Sequence, residues 1–165
     1  MAEPFVPDVV VNICHNCIPR AAELPRQWKQ GDATVSVREV PCSGKIDVQY
    51  PLHALADVSS GVCVVACPPG KCRLAQGNHR AEIRIGTVQR LLSEIGVEPE
   101  RAQLLHCSAE EPAAHLEQLV RGAVTRLAKL GPSPLASPAP HEQPSTEQSS
   151  EQRLAAAPRG NALTT

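Results

Sequence analysis

Apolar residues recur along the chain with two periods, in short runs typical of buried strands and in longer stripes typical of amphipathic helices. Four runs rich in β-branched residues predict strands at residues 9–14, 33–40, 61–66 and 103–107. Each run has the length of one strand of a central sheet.

Helical spacing of apolar residues is clearest over residues 111–130, which Gly131 and Pro132 terminate. Its stripe is formed by Leu116, Leu119, Val120, Ala123, Val124, Leu127 and Leu130. Weaker patterns predict helices over residues 19–30, 47–57 and 80–95.

Strands that alternate with helices predict an α/β fold, a small three-layer doubly wound domain with about four parallel strands. We assign residues 1–131 to this domain. Residues 132–165 are rich in Pro, Ser, Gln and Ala without an apolar period, which predicts a disordered tail with a short helical patch near residues 151–157.

Composition excludes several classes of function. The net charge of −1 gives no basic field for nucleic acid or for an anionic membrane. No apolar run is long enough to span a bilayer. The acidic start has no basic segment of a signal peptide, which predicts a cytoplasmic protein.

Seven cysteines are many for 165 residues, and in a reducing compartment clustered cysteines favour metal binding or redox chemistry over structural disulfides. Five of them lie at the end of a predicted strand or in the connection after it: Cys14, Cys17, Cys42, Cys67 and Cys72. The carboxyl ends of parallel strands share one edge of the sheet, so we expect these five sulfurs to meet there.

Thiolate-rich sites select iron–sulfur clusters, zinc or cuprous copper, and the spacing of these cysteines does not choose among them. A 2Fe–2S cluster needs four thiolates, which leaves one cysteine spare or close by. Gly44 and Gly70 would let the backbone pass close to a bulky centre. Cys63 lies between valines and is predicted to pack in the core, and a packing role is also favoured for Cys107.

Several motifs in a fixed order resemble the delta subunit of methyl-viologen-reducing hydrogenase, an iron–sulfur protein associated with heterodisulfide reductase. The resemblance covers roughly residues 8–131. It is carried by Cys14-His15-Asn16-Cys17 and by residues 40–47, 67–72, 77–79, 96–101 and 108–110.

This resemblance implies a 2Fe–2S cluster held by cysteines in a non-catalytic subunit. Such a subunit passes electrons between a hydrogenase or formate dehydrogenase module and a heterodisulfide reductase A-like flavoprotein. The predicted ligands are Cys14, Cys42, Cys67 and Cys72, with Cys17 either replacing one of them or standing close by.

Two other functions stay open at the level of sequence. The first is a zinc-stabilised interaction module without a redox role. The second is a thiol–disulfide oxidoreductase that works through Cys14 and Cys17.

Overall fold

A computed structural model describes residues 8–20, 24–57 and 59–135. Its strands are β1 (Asp8–Cys14), β2 (Gln27–Gln30), β3 (Ala33–Val40), β4 (Gly61–Ala66) and β5 (Ala102–His106). Its helices are α1 (Gln49–Asp57), α2 (Gly77–Glu94) and α3 (Ala113–Ala128). Most of the predicted tail, with its helical patch, lies outside the described residues.

The strands form one sheet in the order β2-β3-β1-β4-β5. The pairs β1–β3, β1–β4 and β4–β5 are parallel, and β2 pairs antiparallel with β3. The α/β fold class and the four parallel strands predicted from sequence are therefore confirmed, and an antiparallel edge strand is added to them.

The helix predicted over residues 19–30 is wrong, because residues 27–30 form strand β2. Pro25 disfavours a continuous helix there, and Gly31 with a φ of 59° begins the two-residue turn into β3. The Gln30 side chain donates hydrogen bonds to the Arg121 carbonyl and to Thr125 Oγ1 at 2.8 and 2.9 Å. These contacts fasten β2 to α3, so tertiary pairing decides the conformation of this segment.

Helices cover both faces of the sheet, and each face has its own core. On one face the apolar stripe of α3, including Leu116, Val120 and Leu127, packs against Val9 and Val11 of β1. On the other face α1 and α2 pack against Val62 and Val64 of β4. Since β4 is buried on both faces, its continuous apolar run is explained.

One charged side chain is fully enclosed at the amino edge of the sheet. Arg101 is 1 % exposed and donates hydrogen bonds to the carbonyls of Ser60, Leu130, Gly131 and Pro132. Its Nε also lies 2.9 Å from a carboxylate oxygen of Glu98. The guanidinium thus joins the start of β4 to the end of α3.

In the portion of the chain that the structure describes, no helix combines the length and the apolar character needed to cross a membrane.

Candidate metal centre

Three chain segments bring the five predicted cysteines to the carboxyl edge of the sheet. Cys14 ends β1, and Cys17 closes the 3-10 turn that follows it. Cys42 follows β3, and Cys67 and Cys72 follow β4. Because β1 lies between β3 and β4, all three segments are neighbours.

This edge contains the switch point of the topology. The chain passes from β1 to β3 on one side and then crosses over to β4 on the other side of β1. Connections on the two sides of such a point diverge and leave a crevice outside the carboxyl ends of the strands, where α/β proteins place their ligands. Cys14 and Cys67 lie at this crevice.

Three sulfurs form a compact group, which we call the trio: Cys14, Cys17 and Cys67. Their Sγ atoms all lie within 4.8 Å of one another, and the Cys17 and Cys67 sulfurs are 3.5 Å apart. Each of the three side chains is at most 3 % exposed. The trio is thus a buried set of soft donors from two segments of the chain.

The other two sulfurs, those of Cys42 and Cys72, meet at the start of α2. A Cβ added to Gly77 would collide with Cys42 Sγ and would stand 3.6 Å from Cys72 Sγ. The two sulfurs are therefore close neighbours, separated by the space that the missing side chain of Gly77 leaves open. Sequence reasoning missed Gly77, although the Gly77-Asn78-His79 motif pointed to this position.

Hydrogen bonds and charges connect the trio to this pair. The Cys17 thiol and the backbone N–H groups of Ser43 and Asn16 lower the pKa of Cys14 to about 5. Burial raises the pKa of Cys67 to about 11, with further upward contributions from the charges of Cys14 and Cys72. These effects link Cys72 electrostatically to Cys14 and Cys67.

Backbone amides favour a thiolate at Cys72. Partial burial opposes the charge, but the N–H groups of Asn78, Leu74 and Gly77 outweigh it and lower the pKa of Cys72. Two of these amides belong to the first turn of α2, where the helix dipole also favours negative charge. Such amide-to-sulfur hydrogen bonds are typical of protein-bound iron–sulfur clusters.

Arg84 fastens the Cys42 turn to α2. Its Nη1 donates hydrogen bonds to the carbonyl oxygens of Gly44 and Ile46, at 2.6 and 3.2 Å. Asn78 does the same for the other turn, since its Nδ2 donates to the Pro68 carbonyl at 3.0 Å. The first half of α2 therefore holds both cysteine-bearing turns in place through side-chain hydrogen bonds.

The donor set fits a thiolate-bound inorganic centre. Five sulfurs from three segments converge, four of them are buried, and amides are directed at those of Cys14 and Cys72. Gly77 provides room where a larger residue would fill the site. Zinc and iron–sulfur clusters both match this chemistry.

The remaining two cysteines, Cys63 and Cys107, are not members of the trio. Cys63 is fully buried among the core residues of β4, as expected from sequence. Cys107 is also buried, and its sulfur lies 3.6 Å from a carboxylate oxygen of Glu111, outside the trio. Gly70 has a φ of 75° and open space around it, so a turn conformation explains this glycine.

Comparison with known proteins agrees with the site. The family model of the methyl-viologen-reducing hydrogenase, delta subunit, matches residues 9–131. An iron-sulfur subunit of the F420-non-reducing hydrogenase of Archaeoglobus profundus is 34% identical over 133 residues, which are 80% of this chain and 96% of that protein. The iron-sulfur subunit of the vhu F420-non-reducing hydrogenase of Methanocaldococcus jannaschii is 34% identical over 130 residues, 78% of this chain and 96% of its own length.

A longer protein contains a similar unit. The A component of the ferredoxin:CoB-CoM heterodisulfide reductase of Methanosarcina mazei is 29% identical over 127 residues, which are 76% of this chain but 16% of that protein. A region like this chain therefore occurs there as one part of a larger polypeptide.

Proposed function

This chain belongs to the family of the methyl-viologen-reducing hydrogenase delta subunit, and from that premise we propose that it is an electron-transfer protein carrying a 2Fe–2S cluster. It would pass electrons between a hydrogenase or formate dehydrogenase module and a heterodisulfide reductase A-like flavoprotein, in the cytoplasm. The observation that carries the proposal is the convergence of five cysteine sulfurs from three segments at one edge of the sheet.

The proposed ligands are Cys14 and Cys67 from the trio, together with Cys42 and Cys72. These four cysteines supply four thiolates, the number that a 2Fe–2S cluster needs. Cys17 is then the fifth sulfur. It either replaces a ligand or stays a thiol that donates a hydrogen bond to a ligand sulfur, as its 3.5 Å separation from Cys67 allows.

A bound cluster would supply reversible one-electron transfer, and the chain's own residues would set its potential. Burial of Cys14 and Cys67 keeps water from the sulfurs, which disfavours the more highly charged reduced form. Backbone N–H groups at Cys14 and Cys72 stabilise negative charge on sulfur and act in the opposite direction.

The proposed flavoprotein partner is supported by the Methanosarcina mazei relative. In that protein a region similar to this chain is covalently part of a heterodisulfide reductase component. A unit that is fused to a protein in one organism and separate in another is a good candidate for a subunit that docks on that protein.

A second candidate is a structural zinc site. Tetrahedral coordination with Zn–S bonds of about 2.3 Å places sulfurs about 3.8 Å apart, close to the spacing within the trio. In contrast, a thiol–disulfide oxidoreductase needs an accessible thiol, and Cys14 and Cys17 are at most 1 % exposed.

Anaerobic purification of the full chain distinguishes the candidates. We expect a brown protein with two irons and two sulfides per chain and a paramagnetic signal after one-electron reduction. A colourless protein with one zinc per chain would contradict the cluster and support the structural zinc site. Single serine variants of the five cysteines, measured by iron content, then identify the four ligands.

A further inference from the structure

Cys72 is the most exposed of the five cysteines of the site. The side chains of Cys14, Cys17, Cys42 and Cys67 are buried, with exposures of 8 % or less. Cys72 is partly exposed. Because electron tunnelling falls exponentially with distance, the shortest route between a bound cluster and another protein passes through the Cys72 side.

The surface around Cys72 combines positive charge with one exposed apolar side chain. Residues 68–80 contain Lys71, Arg73 and Arg80 and no Asp or Glu. Leu74, two residues after Cys72, is 51 % exposed. A single exposed leucine is ordinary on a protein surface, so its value here lies in its position two residues from the partly exposed Cys72.

Two further cations neighbour residues that contact the start of α2 or belong to it. Lys45 is exposed and directly follows Gly44, whose backbone touches Gly77. Arg80 lies one helical turn before Arg84, on the same face of α2, and Arg84 donates a hydrogen bond to the Gly44 carbonyl. We call the surface formed by Lys45, Lys71, Arg73, Leu74 and Arg80 the Cys72 face.

Acidic groups neutralise this face only in part. Glu110 lies 3.0 Å from Lys71, and Glu82 lies 3.6 Å from His79. Within the described ranges, Lys45, Arg73 and Arg80 form no ion pair. Among the residues that the structure describes, the face therefore keeps positive charge without an acidic partner, although the whole chain carries a net charge of −1.

We infer that the Cys72 face is the docking surface for an acidic region of a redox protein partner, with Leu74 in an apolar contact at its centre. The inference rests on the proposed function and adds to it the surface and the charge of the partner. Arg73, Arg80 and Lys45 would steer an acidic surface toward the face, and Leu74 would hold the complex by excluding water beside Cys72.

The test compares two face variants with two matched controls in the full chain. Arg73→Glu and Leu74→Gln alter the face. Lys29→Glu alters an exposed charge on the edge strand β2, and Ile95→Gln alters a residue that is 61 % exposed at the far end of α2. All four should keep the visible spectrum, and the two control variants should also keep the midpoint potential of the wild-type chain.

Binding to the heterodisulfide reductase A-like flavoprotein of the same organism is measured by calorimetry at low and high salt. We expect Arg73→Glu to weaken binding about tenfold at low salt and much less at high salt, because screening removes the charge contribution. Leu74→Gln should weaken binding about fivefold at both salt concentrations, since its contribution is apolar. The two control variants should bind like the wild type.

A second measurement needs no partner protein. Oxidation of the reduced centre by anionic hexacyanoferrate should be slowed by Arg73→Glu, and oxidation by cationic hexaamminecobalt should be accelerated, while Lys29→Glu changes neither rate. Binding that is unaffected by both face variants, or absent for the wild type, overturns the inference even if the cluster is present. A chain without iron and sulfide overturns the proposed function instead, and the calorimetry still tests the face.

Discussion

Gly44 and Gly77 touch backbone to backbone beside the cysteine site. A Cβ on Gly44 would lie 2.7 Å from the Cα of Gly77 and 2.8 Å from its carbonyl oxygen. Real Cβ atoms do not approach other atoms so closely, so this contact requires glycine at position 44. This contact brings the Cys42 turn against the first turn of α2, whose amides are directed at Cys72.

We expect Gly77→Ala to remove most of the bound metal, because the added methyl group would collide with the Cys42 sulfur. The overpacking should also lower the free energy of unfolding by about 1–3 kcal/mol. Metal content and urea unfolding of the purified variant provide the measurement.

Gly86→Ala is the matched control, since Gly86 lies in the same helix and has open space around it. It should keep the metal and raise the free energy of unfolding by about 0.5–1 kcal/mol. Full metal content in Gly77→Ala would contradict the steric argument.

We expect Arg84→Met to loosen the Cys42 turn, because its two carbonyl acceptors, those of Gly44 and Ile46, lose their charged donor. Loss of such a bond costs about 1.5–3 kcal/mol, so transfer of metal to a chelator should become at least tenfold faster. The rate is followed by the visible absorbance of the chelate.

Arg84→Lys should restore part of the wild-type rate, since an ammonium group can still reach one carbonyl. Arg90→Met on the same helix removes only an exposed pair with Glu94 at 3.8 Å and should leave the rate unchanged. An unchanged rate in Arg84→Met would show that the turn is held in place by other contacts.

We expect Arg101→Met to lower the free energy of unfolding by about 3 kcal/mol or more. The buried guanidinium serves four carbonyls, and its loss leaves them without a donor. Urea denaturation measures the effect.

Arg126→Met, which removes an exposed bond to Gln103, should change the stability by less than about 0.5 kcal/mol. Equal stabilities of the two variants would show that the network around Arg101 contributes little.

Cys63→Ala and Cys107→Ala should retain metal, whereas Cys67→Ala should lose it. The first two sulfurs pack in the core outside the trio, and their removal should cost about 1–2 kcal/mol of stability. Iron and zinc content of each variant are the measurements. Loss of metal from Cys107→Ala would place its sulfur at the centre.

Periodic and strand-forming segments were predictable because local sequence determines them. The stripe of α3 and the apolar run of β4 each match a buried face of the sheet. Strand β2 was not predicted, because its Gln-Trp-Lys-Gln sequence has no apolar alternation and its partner contacts lie in α3. The Gly31-Asp32 pair was the available sign of a hairpin turn.

The edge location of the five cysteines followed from their positions at or after the carboxyl ends of predicted parallel strands, but the grouping of their sulfurs did not. Cys42 and Cys72 meet only because Gly77 leaves space between them, and this depends on packing between segments about 30 residues apart. The role of Arg101 could not be predicted from the sequence either, since its carbonyl partners lie 29 to 41 residues away along the chain.

Arg101 also holds the segment that follows α3 against the amino edge of the sheet. It holds the Pro132 carbonyl near the start of β4, and Ser133 bonds the end of α1 through the Leu55 carbonyl. Residue 8, at the start of β1, lies at this same edge. The start of β1 and the segment that follows α3 therefore lie at the edge of the sheet opposite to the five sulfurs, which leaves the two features at separate rims of the domain.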